Sequence, residues 1–310
     1  MRIPRTSNQQ LRTGLLIACA LLALPAAATS VSRGSIERLA NISFNDIPER
    51  PIDVWLPEGY PKAAPYAVLY MHDGQMLFDA SVTWNKQEWR VDEVAGALID
   101  SGEVRPFIVV AVHNAGERRG EEYFPQQADS LMAKADRERL TQMARAAGAP
   151  MPKFAADAYV RFLADTLKPA IDGRYATDRS PAATALMGSS MGGLISMYGA
   201  LERPDVFGAA ACLSTHWPGG DPNEPAPGEA ILRYVQKQLP SPGKVRLYFD
   251  FGTATLDAFY PSWQARADAI LRRAGYSNAD WVTQRFEGAE HNEVAWGKRL
   301  DVPLRFLFGR

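Results

Sequence analysis

The stretch ALMGSSMGGL, Ala185–Leu194, places two serines between glycines at the end of an apolar run. A serine held in a sharp turn between a strand and a helix needs small neighbours, because the backbone is crowded there. Ser190 has Gly188 two residues before it and Gly192 two residues after it, whereas Ser189 has methionines at both positions. The pattern G-x-S-x-G therefore predicts a strand, a tight turn that presents Ser190, and a helix that begins behind it.

The predicted turn makes Ser190 the candidate nucleophile of the chain. The turn would aim the hydroxyl outward, and the N-terminus of the following helix would offer free amides and positive potential to a developing oxyanion. The alternative is that the glycines and serines only let a helix pack closely on the sheet. Catalysis is the preferred interpretation, because the sequence around the motif supplies both the strand and the helix that such a turn requires.

Short apolar runs alternate with helical patterns along the rest of the chain, and turn residues separate them. This alternation is typical of a mostly parallel sheet with helices on both faces. The first two strands are joined too closely for a helical crossover, so we expect them to pair antiparallel at one edge. The eight predicted strands are Ile36–Phe44, Ile52–Leu56, Tyr66–Met71, Phe107–Val112, Ala183–Met187, Ala209–Leu213, Val245–Phe251 and Trp281–Phe286.

The helical patterns lie between these strands and after the last one. They predict helices at Val91–Ile99, Ala155–Ile171, Leu194–Leu201, Gly228–Gln238, Ser262–Ala274 and Glu293–Leu307. One segment, residues 116–153, is polar and follows a strand where a short loop would suffice. In an α/β sheet such an insertion emerges at the edge where ligands bind. We expect it to form a lid or pocket wall; a passive surface excursion is the alternative.

The first 28 residues have the features of a secretory signal peptide. They carry three arginines, an apolar run at Leu15–Leu24 and an alanine triplet at Ala26–Ala28 that fits an A-x-A cleavage site. Cys19 resembles the end of a lipoprotein box, but the apolar run continues past it, which favours the ordinary signal peptide. We therefore predict a signal peptide at residues 1–28 and one domain at residues 29–310, located in the periplasm or secreted.

Charge and composition exclude several classes of partner. The formal net charge is -1, and removal of residues 1–28 takes away arginines but no acidic residue. A chain of this charge is not attracted to nucleic acid or to an anionic membrane surface. No later run approaches the length of a membrane span. Cys212 would be the sole cysteine of the mature chain, so an internal disulfide is excluded, and its apolar setting predicts a core position.

A serine hydroxyl needs a neighbouring base to take its proton. The candidates are His72, His113, His216 and His291. In hydrolases with this turn, the histidine comes last in the chain, on the loop after the final strand, and His291 occupies that place. His72 and His113 are better placed to shape the pocket, and His216 could reach substrate or be structural.

The third member of a triad would be a carboxylate after the seventh strand, where LYFDFGTATLDAFY offers two. Asp250 lies within the strand, so it would be buried in the sheet below the predicted site. Asp257 lies on the loop beyond Gly252. Asp257 is the preferred acid. If both carboxylates are structural, the site would be a Ser–His dyad.

Two backbone amides are needed to bind an oxyanion. The first is that of Met191, directly after the serine. The second should come from the turn after the third strand, where MHDGQMLFD points to Gln75, with Gly74 as the next choice. An ordinary D-G turn without this role is the alternative.

Aromatic residues are expected near the serine as walls for a planar group, because such walls bind by area and stacking. Each candidate lies on or beside a loop that should converge on the serine, although tryptophan beside a strand is often core. The candidates are Trp84, Trp89, Trp217 and Tyr260.

Six segments of the chain, taken in order, resemble the putative esterase (esterase D and enterochelin esterase-like) family of α/β-hydrolases. The resemblance covers most of the chain after the signal peptide. It rests on MHDGQMLFD, EWRVDE, EEYFP, GSSMGG, FGTATLDAFY and HNEVAWGKRL. The turn alone is common among hydrolases, whereas the ordered set is fairly specific.

The resemblance implies an α/β-hydrolase fold in which Ser190 attacks an ester carbonyl, His291 carries the proton, Asp257 supports it, and water releases the acyl group. The expected activity is that of a secreted serine carboxylesterase, with a siderophore, aryl or sugar ester as substrate. The alternatives are an acyltransferase of the same fold and a catalytically silent binding protein. No metal-ligand spacing or nucleotide fingerprint is present, so no metal or cofactor is expected. The expected partner is a small-molecule ester.

Overall fold

The computed structural model describes residues 29–39, 42, 44, 46–148 and 152–310. The predicted signal peptide, residues 1–28, lies outside the described residues. The strands found in the described part of the chain are β1 (Ser35–Leu39), β2 (Ile52–Leu56), β3 (Ala67–His72), β4 (Phe107–Val112), β5 (Thr184–Ser189), β6 (Ala209–Leu213), β7 (Arg246–Phe251) and β8 (Trp281–Arg285).

These strands form one sheet in the order β1-β2-β4-β3-β5-β6-β7-β8. Strand β2 runs antiparallel to β1 and to β4, and every other neighbouring pair is parallel. The prediction of eight strands with an antiparallel pair at one edge is confirmed, and the sheet is mixed rather than purely parallel. The parallel strands end at one edge, so the loops after β3, β5, β6, β7 and β8 converge there.

Helices cover both faces of the sheet. Those of the described residues are α1 (Val91–Asp100), α2 (Arg119–Tyr123), α3 (Gln126–Ser130), α4 (Lys134–Ala146), α5 (Ala156–Arg161), α6 (Lys168–Arg174), α7 (Met191–Glu202), α8 (Pro225–Gln238), α9 (Pro261–Arg273), α10 (Glu293–Gly297) and α11 (Asp301–Phe308). A π-helical segment, Phe162–Leu167, joins α5 to α6.

The predicted C-terminal helix Glu293–Leu307 is wrong in one respect, because the structure divides it into α10 and α11. Pro303 explains the division. Proline in a helix interior lacks the N–H that would bond to the carbonyl four residues earlier, and its ring collides with that carbonyl. At the start of a new helix the same residue is tolerated.

Two hydrophobic layers enclose the sheet, and β3 shows how they separate. Val68 and Tyr70 pack into one layer, and Leu69 and Met71 into the other, because successive strand side chains point to opposite faces. Helix α7 packs on the first face, while α1 and α11 cover the second. Cys212 lies in the first layer, fully buried, in agreement with its predicted core position.

The inserted segment contains α2, α3 and α4. Its first part is anchored by buried Tyr123 and Phe124, whereas α4 buries none of its residues. Arg139 on α4 forms an ion pair with Glu224, which ties the outer helix to the start of α8. None of the described helices has the length and apolar character needed to cross a membrane.

Candidate active site

Ser190 occupies the sharp turn between β5 and α7, as the glycine spacing predicts. Its backbone has φ 58° and ψ -123°, a conformation that costs energy for a residue with a side chain. Hydrogen bonds maintain it: the Ser190 N–H donates to the carbonyl of Leu213 at 2.9 Å, and the Ser190 carbonyl accepts from Gly193 at 3.0 Å. The strained turn is therefore built into the junction of β5, β6 and α7.

Gly188 is required because the chain folds back on itself at this turn. A Cβ atom at position 188 would lie 2.8 Å from the carbonyl of Gly192, closer than real side chains approach. The two flanking glycines of G-x-S-x-G thus contact each other, and the motif is explained by backbone packing around the serine.

His291 follows β8 and faces the carboxylate of Asp257. Its Nδ1 lies 2.6 Å from Oδ1 of Asp257, and its backbone N–H donates to the Thr255 hydroxyl at 2.9 Å. A carboxylate can only accept, so Nδ1 carries the hydrogen and Nε2 keeps a free lone pair in the neutral ring. This tautomer is the one that a general base needs.

Asp257 is completely buried and receives two further hydrogen bonds on Oδ2. The backbone N–H of Gly252 donates at 2.5 Å and the Ser214 hydroxyl at 2.6 Å. Ser214 in turn accepts from the indole N–H of Trp296 and from Arg299, each at 2.9 Å. These hydrogen bonds fix the direction of the carboxylate.

The loops that carry the acid and the base are in direct contact. A Cβ atom at Gly252 would lie 2.1 Å from the carbonyl of Ala289. That carbonyl accepts hydrogen bonds from the N–H groups of Thr253 and Ala254, both at 3.1 Å. The loop after β7 and the loop after β8 therefore hold Asp257 and His291 in register.

Asp250, the alternative acid, has different partners. It is fully buried within β7 and accepts from Arg299 at 2.9 Å and from the Tyr248 hydroxyl at 3.1 Å. Burial raises the pKa of Asp250, and Arg299 opposes that rise without cancelling it. The structure brings Asp257, not Asp250, to His291, because a strand side chain here points into the layer below the cleft.

The turn after β3 lies beside the serine and carries Gln75. The residue before it, Asp73, has a left-handed backbone with φ 56°, and Gly74–Met76 form one 3-10 turn. Within the described residues the N–H of Gln75 and the N–H of Met191 have no hydrogen-bond acceptor. Both amides are thus free to bind an oxyanion.

Asp73 is held by an arginine from the inserted segment. Arg119 donates to both carboxylate oxygens, at 2.7 and 2.8 Å, and the amide of Asn114 donates at 2.7 Å. Burial raises the pKa of the Asp73 carboxyl, but Arg119 and Asn114 outweigh burial and hold that pKa below its ordinary value. The pair supports the turn that carries Gln75.

A cleft of about 600 Å³ opens above Ser190 and His291. Of the chain's four histidines, His291 alone lines it; His113 pairs with Asp53, and His72 is buried beneath the turn. Its remaining walls are mainly polar or aromatic, from Asp73, Gln75, Trp84, Asn85, Gln87, Trp89, Asn114, Arg119, Asn292, Glu293 and Trp296.

The predicted aromatic wall is only partly found. Trp84 is 83% exposed at the rim of the cleft, and Trp89 lines it while packing against Trp296. Trp217 does not line the cleft: it is buried against Phe249 in the core, so its prediction as a substrate contact is not supported. Tyr260 is buried too and does not line the cleft; its hydroxyl lies 2.8 Å from Nδ1 of His216.

Several residues of the site were not anticipated from the sequence. Ser214 directly follows the apolar strand β6, and a polar residue at that position is the signal that could have identified it. Arg119 comes from the inserted segment. Among the described residues of that segment, Arg119 is the one that lines the cleft. The outer helix α4 contributes no residue to the cleft, and the role of the segment as a lid or pocket wall stays a prediction.

Comparison with known proteins agrees with this architecture. Residues 48–307 match the model of the family described as Putative esterase. The chain belongs to this family. The description of the family is that of an esterase. An Endo-1,4-beta-xylanase/feruloyl esterase from Xylanibacter ruminicola is 25% identical over 289 residues, covering 90% of this chain and 32% of that protein. This member of the putative esterase family therefore spans about a third of that curated relative.

Solved structures share the fold. A ferulic acid esterase superimposes with a TM-score of 0.59 at 18% identity, covering 88% of this chain and 97% of that one. The ferric enterobactin esterase of Salmonella typhimurium superimposes with a TM-score of 0.64 at 14% identity, covering 90% of this chain and 59% of that one. At such identities the likeness establishes the α/β-hydrolase type of fold and leaves the substrate open.

Proposed function

We propose that this chain is a serine carboxylesterase that forms an acyl-enzyme on Ser190. The observation that carries the proposal is the 2.6 Å contact between His291 Nδ1 and Asp257, on loops that converge beside the strained Ser190 turn. A structural serine would have no need of a neighbouring histidine whose free nitrogen is fixed by a buried carboxylate.

The residues would act in two half-reactions. Ser190 Oγ attacks the ester carbonyl while His291 Nε2 takes its proton, and Asp257 stabilises the imidazolium that forms. The N–H groups of Met191 and Gln75 bind the negative oxygen of the tetrahedral intermediate. His291 then returns the proton to the departing alcohol. In the second half-reaction water repeats these steps on the acyl-enzyme and releases the acid.

The cleft supports an uncharged, partly aromatic ester as substrate. Among the described residues that line the cleft, Arg119 is the cationic one, and it is paired with Asp73 and therefore not free to bind a strongly anionic ligand. Exposed Trp84 provides a flat surface for an aromatic ring or a sugar, and the surrounding amides can hydrogen-bond hydroxyl groups. The names of the feruloyl and ferulic acid esterase relatives support the same class. We therefore propose an ester of an aromatic acid or of a sugar.

Paired serine variants test this proposal. Ser190→Ala should lower kcat on a short aryl ester by at least about 10³-fold, since it removes the nucleophile, while the fold is retained. Ser189→Ala, the matched control, should keep at least about a tenth of the activity, since it leaves the nucleophile in place. A fluorophosphonate probe should label Ser190 covalently. Full activity in Ser190→Ala would refute the proposal, and product analysis with an added alcohol would reveal an acyltransferase instead.

A further inference from the structure

A buried tryptophan, Trp296, lies against the proposed base and takes no part in the mechanism above. It is 5% exposed and belongs to the wall of the cleft that contains Ser190 and His291. Its ring and the imidazole ring of His291 meet edge to face, with centroids 5.0 Å apart and planes at 82°. The group that must move the proton therefore packs directly against this side chain.

The hydrogen bond to the acid does not by itself fix the plane of the His291 ring. The contact between Nδ1 and Asp257 holds one ring atom, about which the rest of the ring can tilt. Perpendicular aromatic neighbours restrict such a tilt, because edge-to-face pairs are favoured over other arrangements. The ring of Tyr260 also meets His291 at a steep angle, 72°, with centroids 5.8 Å apart. Trp296, at the shorter distance, is the nearer of these two supports.

The indole N–H connects Trp296 to the acid as well. It donates to the Ser214 hydroxyl at 2.9 Å, and Arg299 donates to the same oxygen at 2.9 Å. An indole and a guanidinium can only donate, so they occupy both lone pairs of the Ser214 oxygen. The hydrogen of Ser214 must then go to Asp257, 2.6 Å away. Trp296 thus contacts the base through its ring and the acid through one hydroxyl.

The position of Trp296 follows from the short helix α10, which begins two residues after His291. Asn292 caps this helix: its side chain accepts from the N–H of Ala295 at 2.9 Å, and its carbonyl accepts from the N–H of Trp296 at 3.0 Å. One helical turn returns the chain to the histidine. The segment HNEVAW therefore supplies both the base and the ring that supports it.

Trp296 is also packed against the segment next to the turn that carries Gln75. Its ring lies on Trp89 with centroids 5.4 Å apart, and the N–H of Trp89 donates to the carbonyl of Met76 at 3.1 Å, at the end of that turn. A Cβ atom at Gly297 would lie 2.7 Å from the carbonyl of Trp89, so α10 rests directly on this backbone. One side chain thus joins the base, the acid and the proposed oxyanion site.

We propose that Trp296 is a positioning residue that fixes the plane of the His291 ring, so that Nε2 is directed at Ser190. The inference rests on the proposed function. A displacement of roughly 1 Å in a reacting group can lower a rate by about 10²-fold. Loss of the indole should therefore slow the steps in which His291 moves a proton, while the binding of substrate changes little.

Trp296→Leu removes the ring and its N–H, and Trp55→Leu is the matched control. Trp55 is fully buried on β2, packs on the ring of Phe107, and donates its indole N–H to the carbonyl of Arg33 at 2.8 Å; it does not line the cleft. In Trp296→Leu, kcat on an aryl ester and the second-order rate of fluorophosphonate labelling should fall by about 10- to 100-fold. KM should change less than about threefold. Trp55→Leu should lower stability in urea and keep both rates within about twofold.

Two further measurements separate positioning from damage to the fold. Trp296→Phe is a milder change that keeps an aromatic ring but loses the N–H, and it should lower both rates by about 2- to 10-fold. Proton NMR should show faster exchange of the hydrogen between His291 Nδ1 and Asp257 in both Trp296 variants than in Trp55→Leu. This hydrogen reports the orientation of the ring directly.

The outcomes that would overturn the inference are distinct from failure of the proposed function. A rise in KM with unaltered kcat would show that Trp296 is only a wall of the cleft. Equal losses in Trp296→Leu and Trp55→Leu, or unaltered rates in Trp296→Phe, would also overturn the inference. In each case covalent labelling of Ser190 still upholds the esterase. Absence of any label on Ser190 in the unaltered enzyme would overturn both.

Discussion

The floor of the cleft, formed by Ser190, His291 and Asp257, and its rim at Trp84 differ in burial and in hydrogen bonding. On the floor, Asp257 is fully buried and His291 and Ser190 are fixed to strand ends by backbone and side-chain hydrogen bonds. On the rim, Trp84 is 83% exposed, and its indole has no hydrogen-bond partner among the residues that the structure describes. The contrast indicates that bond breaking depends on interior groups, whereas recognition depends on a surface that can change without disturbing the fold.

The two buried carboxylates of the floor should separate catalysis from stability. Asp257→Asn should lower kcat by about 10²- to 10⁴-fold, because the amide cannot hold His291 in the required tautomer. Asp250→Asn should instead lower the free energy of unfolding by roughly 3 kcal/mol, since it leaves Arg299 buried without a counter-charge. Steady-state kinetics and urea unfolding of both variants measure the two effects. An exchange of the two phenotypes would mean that Asp250 is the acid; normal kcat in both would favour a Ser–His dyad.

The stability of the protein should depend on pH through His72, which is buried beneath the turn that carries Gln75. Burial lowers the pKa of His72 to about 3, from an ordinary value of 6.5. Below pH 6.5 His72 takes up a proton in the unfolded chain but not in the folded chain. The contribution of His72 to the free energy of unfolding is therefore complete above pH 6.5 and is lost as the pH falls. Between pH 6.5 and 5 the loss is roughly 2 kcal/mol by linkage.

His72→Gln should remove that share of the pH dependence. The buried ring is replaced by a group that does not titrate, so stability measured by urea unfolding should fall less steeply between pH 7 and pH 5 than in the unaltered protein. Acidic groups titrate equally in both proteins and cancel in the comparison. Parallel stability curves would show that His72 takes up a proton in the folded state.

The rim should give the smallest effect. Trp84→Ala should raise KM for aryl esters by about 2- to 10-fold, the equivalent of one aromatic contact, with kcat and stability nearly unchanged. Acetate esters of small alcohols should be affected less, because they do not reach the rim. Met143→Ala, which removes another exposed apolar side chain on the outer helix α4, should change neither. Equal losses on both ester types would indicate damage to the scaffold.

The floor was more predictable from the sequence than the rim, for physical reasons. Glycine spacing around Ser190 follows from backbone geometry, which leaves few solutions, and the positions of Asp257 and His291 follow from the chain order known for hydrolases with this turn. Trp217 was predicted as a substrate contact and lies in the core instead, because a tryptophan after a strand looks the same in sequence whether it faces ligand or core. Arg119 was missed because its role depends on a contact with Asp73, 46 residues away in the chain. Hydrophobic periodicity gives no information about a contact of this kind.

Side-chain networks were equally invisible in the sequence. Tyr260 was predicted as an aromatic wall, but it is buried and its hydroxyl contacts His216. Ser214 and Arg299 come together only when β6, β7 and the C-terminal helices are assembled. The break between α10 and α11, by contrast, could have been predicted from the sequence. Pro303 lies within the predicted helix, and proline interrupts a helix in any protein.

The contact between Gly252 and Ala289 has a consequence for engineering and for divergence within the family. Because the acid loop and the base loop share backbone hydrogen bonds, neither can be exchanged alone without losing the spacing of Asp257 and His291. A successful graft from a related enzyme would transfer both loops together, as one cassette. Over evolutionary time the same coupling should make the two loops vary in concert, while the inserted segment and the Trp84 rim diversify independently.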